Sequence, residues 1–208
     1  MEFLKDVWNK IRNVVLNPSD FFEEIEEEKN NRYPLIYLII IEIVPAIFSY
    51  FILMLNISPI SMGLRSYEAV SGIFVIFLVF FNYFVGIIEN IISAVVIHIF
   101  CVLLDGSGDF NASFKSIIYG ATPSILAGWI PIVGIIAFLD SIYLQVKGIS
   151  ELHDVSMLRA LGILLIPGVI LFGIVVFGVL FYYGIFSTNT AVVPTSQLPV
   201  GNFLNLVP

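Results

Sequence analysis

Residues 69–104 read AVSGIFVIFLVFFNYFVGIIENIISAVVIHIFCVLL, and this stretch decides the fold. Glu89 is its one residue among Asp, Glu, Lys and Arg, and an apolar run of this length predicts a membrane-spanning helix. As one helix it would extend about 54 Å, whereas the hydrocarbon core of a bilayer is about 30 Å thick. The helix must therefore tilt, project beyond the bilayer or break into two short spans.

The composition agrees with a protein whose solvent is lipid. Of the 208 residues, 59% are hydrophobic and 12% are charged, whereas soluble domains are about 45–50% apolar and about 25% charged. A compact protein of this size has too little interior to bury so much apolar surface in water. The single cysteine excludes an intramolecular disulfide and a cysteine-rich metal cluster. The net charge of −7 argues against a nucleic-acid partner.

Three other apolar stretches extend the pattern to an all-α, polytopic transmembrane helical bundle. A proline interrupts the first stretch, a Gly/Pro-rich segment divides the second into a helical hairpin with short arms, and the third is a long final span. They comprise residues 34–55, 116–148 (divided at 128–134) and 158–186. We therefore predict a membrane domain over residues 34–186, in which the hairpin arms are the third and fourth of five spans.

The distribution of basic residues predicts the topology. If residues 69–104 form one span, eight of the nine Lys and Arg side chains lie on one side of the membrane and only Arg65 lies on the other. The eight are Lys5, Lys10, Arg12, Lys29, Arg32, Lys115, Lys147 and Arg159. Such an excess marks the cytoplasmic side, so we expect the amino terminus there and the uncharged, loosely ordered tail, residues 187–208, outside. Because a hairpin returns to its starting side, charge does not distinguish five spans from three spans plus a re-entrant loop.

The amino-terminal segment, residues 1–33, is rich in charge and has apolar residues at helical spacing. This pattern predicts an amphipathic helix that lies flat in the headgroup region with Trp8 as its anchor. Asn17 and Pro18 predict the start of a second short interfacial helix. We expect the apolar side chains of this second helix to face the bilayer, namely Phe21, Phe22 and Ile25.

Polar side chains inside the predicted spans are the first candidates for function. Glu89 is the strongest of them, because a carboxylate at the centre of a span costs at least about 2.5–3.5 kcal/mol on insertion. It shares one side of its helix with other small and polar residues, which indicates either a polar pathway or interhelical packing. Glu42, one turn before Pro45, either lines a site at a kink or pairs with the long span. The intramembrane candidates are Glu42, Asn82, Glu89, Asn90 and His98, of which Asn90 or His98 would pair with Glu42.

The sequence predicts neither an enzyme nor a metal site nor a cofactor. It contains no nucleophile elbow, phosphate-binding Walker loop or His-Glu zinc motif. His98 and Cys101 are three residues apart, but a zinc site needs four ligands and no second cysteine completes it. A serine hydrolase inside the membrane needs a serine beside its histidine, and His98 has no obvious serine at matched depth.

Short motifs outside the long apolar runs resemble those of bacterial and archaeal Yip-domain proteins. One motif, Leu16-Asn-Pro-Ser-Asp-Phe-Phe22, precedes the first span. A second runs from Gly106-Ser-Gly-Asp-Phe110 to Ile117-Ile-Tyr-Gly-Ala-Thr-Pro123, and a third is Ile149-Ser-Glu-Leu-His153. The stretch Ser156-Met-Leu-Arg-Ala160 is similar to the family's short helix entry before the last span. The resemblance covers nearly the whole chain.

This resemblance implies a five-span membrane protein with a cytosolic amino terminus, in agreement with the charge count. Eukaryotic members bind Rab-type GTPases and shape early secretory and Golgi traffic, partly through a long cytosolic amino-terminal domain that this sequence does not show. The resemblance therefore implies a prokaryotic-type member in the cell membrane, and such members generally have no assigned activity.

We predict from these features a non-enzymatic membrane organiser or adaptor. Its partners would be the lipid bilayer and another membrane or cytoplasmic protein, bound at the cytoplasmic segments 1–33, 105–115 and 147–159. The candidate partner contacts in the last segment are Glu151, His153 and Asp154. The same three residues face only water if the segment is an ordinary solvated loop. The alternative function is a small-solute or ion transporter or channel, with a polar path built on the intramembrane candidates around Glu89.

Overall fold

The chain is helical, with short turns and no strand, in the part that the computed structural model describes, residues 2–27, 32–54 and 72–189. The helices are α1 (Glu2–Leu16), α2 (Pro18–Glu26), α3 (Arg32–Ile41), α4 (Ile43–Met54), α5 (Gly72–Leu103), α6 (Phe110–Gly120), α7 (Thr122–Ala127), α8 (Val133–Leu152) and α9 (Met157–Asn189). Within these described residues, four segments are long and apolar enough to cross a bilayer: Arg32–Ile52, Phe74–Leu103, Val133–Leu152 and Met157–Tyr182. The prediction of an all-α membrane protein is thus confirmed, whereas the number of five spans stays a prediction.

The first two spans follow the sequence pattern. A break at Glu42 separates α3 from α4, because Pro45 has no N–H to offer the carbonyl of Ile41 four residues earlier. The N–H of Ala46 donates to the carbonyl of Glu42 at 3.3 Å and carries the helix past the break. In contrast, α5 is one helix of 32 residues, so the described part of the 69–104 stretch does not break into two spans.

The predicted helical hairpin forms, with α6 and α7 as its first arm and α8 as its second. The turn between the arms lies at residues 128–132. The first arm begins earlier than predicted, because residues 110–115 are helix and not a polar turn. The side chain of Asp109 accepts a hydrogen bond from the N–H of Ala112 at 3.0 Å, and this N-cap starts α6.

The second arm of the hairpin is longer than predicted. α8 continues to Leu152, so half of the predicted polar loop 148–157 is helix. Gly148 lies inside α8, where a Cβ would stand 2.7 Å from the ring of Phe22 and 3.1 Å from Ser116 Cα. This glycine therefore permits close packing of α2, α6 and α8 and does not end a helix.

α6 occupies the centre of the helical packing. It packs against α5 and α8, and every residue from Asn111 to Gly120 is buried. The ring of Tyr119 lies 4.9 Å from that of Tyr37 and 5.1 Å from that of Phe21, measured between centroids. We call α6, α2, the loop 105–109 and the C-terminal half of α8 the polar layer, because α6 carries polar side chains into the core.

The amino-terminal helices correct one prediction about the bilayer. The apolar side chains of α2 are buried in protein and not turned toward lipid; they are Phe21, Phe22 and Ile25. Amphipathic spacing identifies an apolar face but not what covers it, and here the cover is α8 together with Tyr119. In α1, Val7 and Val14 are buried while Trp8 is 65% exposed, so the anchoring of Trp8 in the headgroup region stays a prediction.

The chain divides into two compact units, Met1–Pro167 and Gly168–Pro208. The first unit contains the polar layer and all the candidate residues. In the second, the described side chains of α9 are all exposed. Most of the predicted tail, from residue 190 onward, lies outside the described residues, and the predicted domain boundaries at residues 33 and 186 stay predictions.

Candidate functional site

Glu42 and Asn90 form a polar contact midway along the first two candidate spans. The side-chain amide of Asn90 donates to Glu42 Oε1 at 3.2 Å and to the carbonyl of Gly86 at 3.0 Å. Glu42 is only 6% exposed, and a Cβ at Gly86 would lie 2.7 Å from Glu42 Oε2. A glycine at this position therefore makes room for the carboxyl group. The contact confirms the predicted pairing of Glu42 with a polar group of the long span.

Asn82 and Glu89 lie outside that contact. Both are exposed on α5, and no hydrogen bond among the described residues involves either of them. Successive residues of a helix differ in direction by about 100°, so α5 turns Asn90 toward Glu42 and turns Glu89 toward the surface of the bundle. The intramembrane candidates are therefore not gathered into one continuous path.

A groove of about 580 Å³ lies between α4 and α5. Its lining is apolar apart from the hydroxyl groups of Tyr50 and Tyr83. Tyr83 donates to the carbonyl of Ile39 at 2.9 Å. Neither Glu42 nor Asn90 lines this groove, so it does not open the polar contact to solvent.

His98 belongs to a second polar contact, near the C-terminal end of α5. Ser113 Oγ lies 3.1 Å from His98 Nδ1 and 2.9 Å from His153 Nε2, and both Ser113 and His153 are fully buried. A hydroxyl group has one proton, so Ser113 donates to one imidazole and accepts from the other. The expectation that His98 has no serine at its depth is wrong, because the serine comes from α6, whose first residues the sequence pattern assigned to a turn.

The loop 105–109 docks on the backbone of His153. Ser107 donates to the His153 carbonyl through both its backbone N–H and its hydroxyl group, each at 3.0 Å. A Cβ at Gly108 would lie 2.4 Å from the carbonyl oxygen of Leu152 and 2.7 Å from His153 Nδ1. Only glycine allows the loop to approach α8 so closely.

The same loop is anchored to α5. The N–H of Gly106 donates to the carbonyl of Cys101 at 2.8 Å, and Cys101 itself is fully buried. The C-terminal ends of α5 and α8 are therefore joined through the loop by main-chain hydrogen bonds.

The imidazole of His153 is held in its neutral form. Burial, and to a smaller extent the neighbouring His98, lowers the pKa of His153 to about 4, against an opposing effect of Asp109. Its Nδ1 is buried without a hydrogen-bond partner among the described residues. Because unpaired buried N–H groups are rare in proteins, we assign the proton to Nε2, which then donates to Ser113. Ser113 in turn donates to His98.

Lys115 is a buried lysine, although the sequence pattern assigned it to the membrane surface. Its ammonium group donates to the carbonyl of Ile25 at 2.5 Å and to that of Glu26 at 3.2 Å, and the residue is 2% exposed. The last carbonyls of a helix lack partners within the helix and carry partial negative charge. Lys115 therefore caps the C-terminal end of α2 and fastens it to α6. The available signal was that most neighbours of Lys115 in the sequence, from Ala112 to Gly120, are apolar or small.

The three predicted partner contacts separate in the structure. His153 is fully buried, so the expected solvent-facing side chain is corrected to a core residue. Glu151 is exposed on the last turn of α8 and forms an ion pair with Lys147 one turn earlier. Asp154 is exposed, with a positive φ of 51°. In the predicted segment 105–115 only the loop that precedes α6 reaches the surface, because the side chains from residue 111 onward are buried.

The model of the Yip1 domain matches residues 12–180, which is most of the chain. The chain belongs to the Yip1-domain family. No curated protein and no solved structure matches it.

In this Yip1-domain protein, the short motifs that carry the resemblance pack on one another. Residues 16–22 meet residues 117–123 through edge-to-face aromatic rings. Residues 106–110 meet residues 149–153 through the two hydrogen bonds to the His153 carbonyl. The motifs therefore assemble the polar layer.

Proposed function

We propose that this Yip1-domain protein is a non-enzymatic organiser or adaptor of the cell membrane that binds partner proteins at its cytoplasmic face. The observation that carries the proposal is the separation of the polar side chains into two closed contacts, Glu42 with Asn90 and His98 with Ser113. Neither contact continues into the other, as a transport path requires. The folded amino-terminal helices and the loop 105–109 provide a surface beside the spans that suits a protein partner.

The geometry of the hairpin supports five crossings. The loop 105–109, which begins the first arm, lies beside His153 at the end of the second arm. The two arms also pack along one another, since α6 and α7 both contact α8. α8 is a candidate span. Because the first arm, α6 with α7, packs along α8, it crosses the bilayer if α8 does. Five crossings place the two termini on opposite sides of the membrane, and the excess of Lys and Arg on the amino-terminal side favours a cytoplasmic amino terminus and an external carboxyl terminus.

The exposed surface of α1 supports attachment to the headgroup region. Leu4, Trp8 and Val15 are exposed and lie on one side of the helix, beside Lys5 and Arg12. An apolar stripe flanked by cations is typical of helices at the surface of an anionic bilayer. This stripe holds α1 against lipid and leaves the acidic turn between α8 and α9 for a protein partner.

The serine between two histidines fits a structural role better than catalysis. Ser113 is fully buried, so a substrate has no access to its hydroxyl group. A hydrolytic histidine is oriented by a carboxylate, and the described hydrogen bonds of His98 and His153 go to Ser113 and not to a carboxylate. The contact joins α5, α6 and α8, which is consistent with a protein that acts by binding.

Site-specific photo-crosslinking in native membranes tests the binding role. A photoreactive amino acid replaces Asp154, exposed in the turn after α8, and in a matched variant it replaces Ile135, exposed at the opposite end of α8. We expect defined protein adducts at position 154 and none at position 135. Equal adducts at both positions, or none at position 154 in cells that contain the folded protein, contradict an adaptor surface there.

Flux measurements test the alternative function. Purified protein in liposomes should transport no ion or small solute across a broad panel, because its polar contacts are closed. Flux that the wild type supports and that Glu89→Gln abolishes would replace the adaptor proposal with a transporter.

A further inference from the structure

One nitrogen of the His153 imidazole has no hydrogen-bond partner among the described residues. Nε2 lies 2.9 Å from Ser113 Oγ, whereas Nδ1 is buried without a partner. With its proton on Nε2 the ring is neutral. A second proton on Nδ1 would create a buried cation whose N–H no described residue accepts, and such a group is strongly disfavoured.

The loop 105–109 covers this nitrogen. A Cβ at Gly108 would lie 2.7 Å from Nδ1 of His153, and a Cβ at Gly106 would lie 3.3 Å from it. The backbone of both glycines therefore stands against the imidazole and keeps water from Nδ1, and the side chain of His153 is fully buried. If the loop moves away, Nδ1 reaches water and can accept a proton.

The loop is held by a small number of hydrogen bonds. Ser107 donates twice to the carbonyl of His153, and Gly106 donates to the carbonyl of Cys101. No residue of the loop is itself buried, so its release exposes little apolar side chain. Segments of this kind open at a lower free energy than the whole protein.

We propose that binding of a proton at Nδ1 of His153 releases the loop 105–109 from α8. The docked loop excludes this proton and the released loop admits it, so each event favours the other. Release breaks the hydrogen bonds that join the C-terminal ends of α5 and α8. The inference is independent of the proposed adaptor role, because it concerns how the polar layer opens and not what binds to it.

The groups around His153 oppose its protonation while the loop is docked. Burial and, to a smaller extent, His98 of α5 lower the pKa of His153, whereas Asp109 of the loop raises it. Asp109 is already engaged as the N-cap of α6, and Lys115 of α6 donates to carbonyls of α2. The other titratable side chains in residues 98–110 and 149–156 are Cys101, which hydrogen-bonds Ser113, and the exposed Asp105, Glu151 and Asp154.

The size of the effect follows from the pKa of His153 in the two states of the loop. The pKa is about 4 when the loop is docked, and the ordinary value of about 6.5 applies when the ring meets water. Lowering the pH from 7 to 5.5 should therefore raise the equilibrium constant for release of the loop about eightfold.

Hydrogen exchange measured by mass spectrometry on the full chain in lipid nanodiscs tests the proposal. Rates at pH 7 and pH 5.5 are corrected for the intrinsic pH dependence of amide exchange. We expect the amides of Gly106 and Ser107 to exchange faster than those of α6 at both pH values, and their protection to fall about eightfold at pH 5.5. The turn 128–132 at the other end of the hairpin is the internal control, because its local opening leaves His153 buried and should not change.

Three substitutions assign the effect to His153. His153→Gln keeps the main-chain carbonyl that the loop binds but has no group that gains a proton in this range, so it should remove the pH dependence. His98→Gln should retain most of the pH dependence. Ser107→Ala removes one of the two hydrogen bonds to the His153 carbonyl, so it should speed exchange of the loop by a similar factor at both pH values.

Three results would overturn the proposal. The first is exchange of the loop no faster than that of α6, which would show that the loop opens only when the whole protein unfolds. The second is an equal effect of pH on the loop and on the turn 128–132. The third is a pH dependence that persists in His153→Gln or disappears in His98→Gln. If His153→Gln does not accumulate, the wild type and His98→Gln decide the question by the same criteria.

Discussion

α6 and the outward side of α5 show opposite arrangements of polar and apolar residues. α6 buries Ser113 and Lys115 completely or nearly so, whereas α5 exposes Phe77, Phe81 and Phe84 by more than half. In water this arrangement would unfold the protein. In lipid an exposed phenylalanine costs little, and helices associate through hydrogen bonds and close packing. The comparison teaches that burial in this protein follows from hydrogen bonding and fit, and that hydrophobicity alone does not identify the core.

The largest expected effect is a difference in stability between alanine substitutions of two phenylalanines. Phe22→Ala removes a fully buried ring that packs on Gly148 and should lower the free energy of unfolding by about 3–5 kcal/mol. Phe81→Ala removes a ring that is 59% exposed and should change it by less than about 1 kcal/mol. Denaturant titration in detergent micelles measures both. Equal losses would mean that the polar layer is packed no more tightly than the lipid-facing surface.

A smaller loss of stability is expected when one methyl group is added to the loop 105–109. Gly108→Ala places a Cβ against the carbonyl of Leu152 and should cost about 2–3 kcal/mol of stability. Gly173→Ala is the matched control, since no atom lies within 4 Å of a Cβ there, and it should be neutral or stabilising. Thermal unfolding of the two variants in the same detergent makes the comparison, and a stable Gly108→Ala protein would argue against a docked loop.

Removal of the buried ammonium group should have an intermediate effect. Lys115→Met keeps the aliphatic stem but leaves the carbonyls of Ile25 and Glu26 without this donor, at a cost of about 2 kcal/mol. Lys147→Met breaks only an exposed ion pair on α8 and should cost about 0.5 kcal/mol or less. Limited proteolysis should also cut the amino-terminal helices faster in Lys115→Met. Equal stability of the two variants would show that Lys115 does not fasten α2.

The smallest effect should appear as a dependence on pH. The pKa of His153 is about 4 in the folded protein and about 6.5 in an unfolded chain. Between these values the unfolded state binds more protons, so stability falls as the pH decreases. We expect a loss of about 1 kcal/mol between pH 7 and pH 5.5. His153→Gln should remove this component from unfolding curves measured at both pH values, and an unchanged slope would assign the dependence to other groups.

Much of the membrane architecture could be predicted from the sequence. Runs of apolar residues identify the spans, and Pro45 and the segment 128–134 identify where helices break. The pairing of Glu42 with Asn90 was also predictable, because a polar group in a span has few partners within reach. These features depend on local composition and spacing, which a sequence displays directly.

The polar layer could not be predicted in the same way. Periodicity shows that α2 has an apolar face, but the contact of Phe22 with Gly148 depends on how distant segments meet. Lysine and histidine side chains near turns usually face water. Lys115 is buried because α2 supplies carbonyl partners for its ammonium group, and His153 is buried because α6 supplies Ser113. Asn90 contacts Glu42 whereas the adjacent Glu89 is exposed, so a difference of one residue along the helix separates the two candidates.

The loop 105–109 has a mechanical consequence. The loop joins the C-terminal ends of α5 and α8 through hydrogen bonds to the carbonyls of Cys101 and His153. The two helices are therefore held together at one end. If α5 and α8 move apart, the distance between them must increase toward their N-terminal ends. Such a movement leaves the hydrogen bonds of the loop in place.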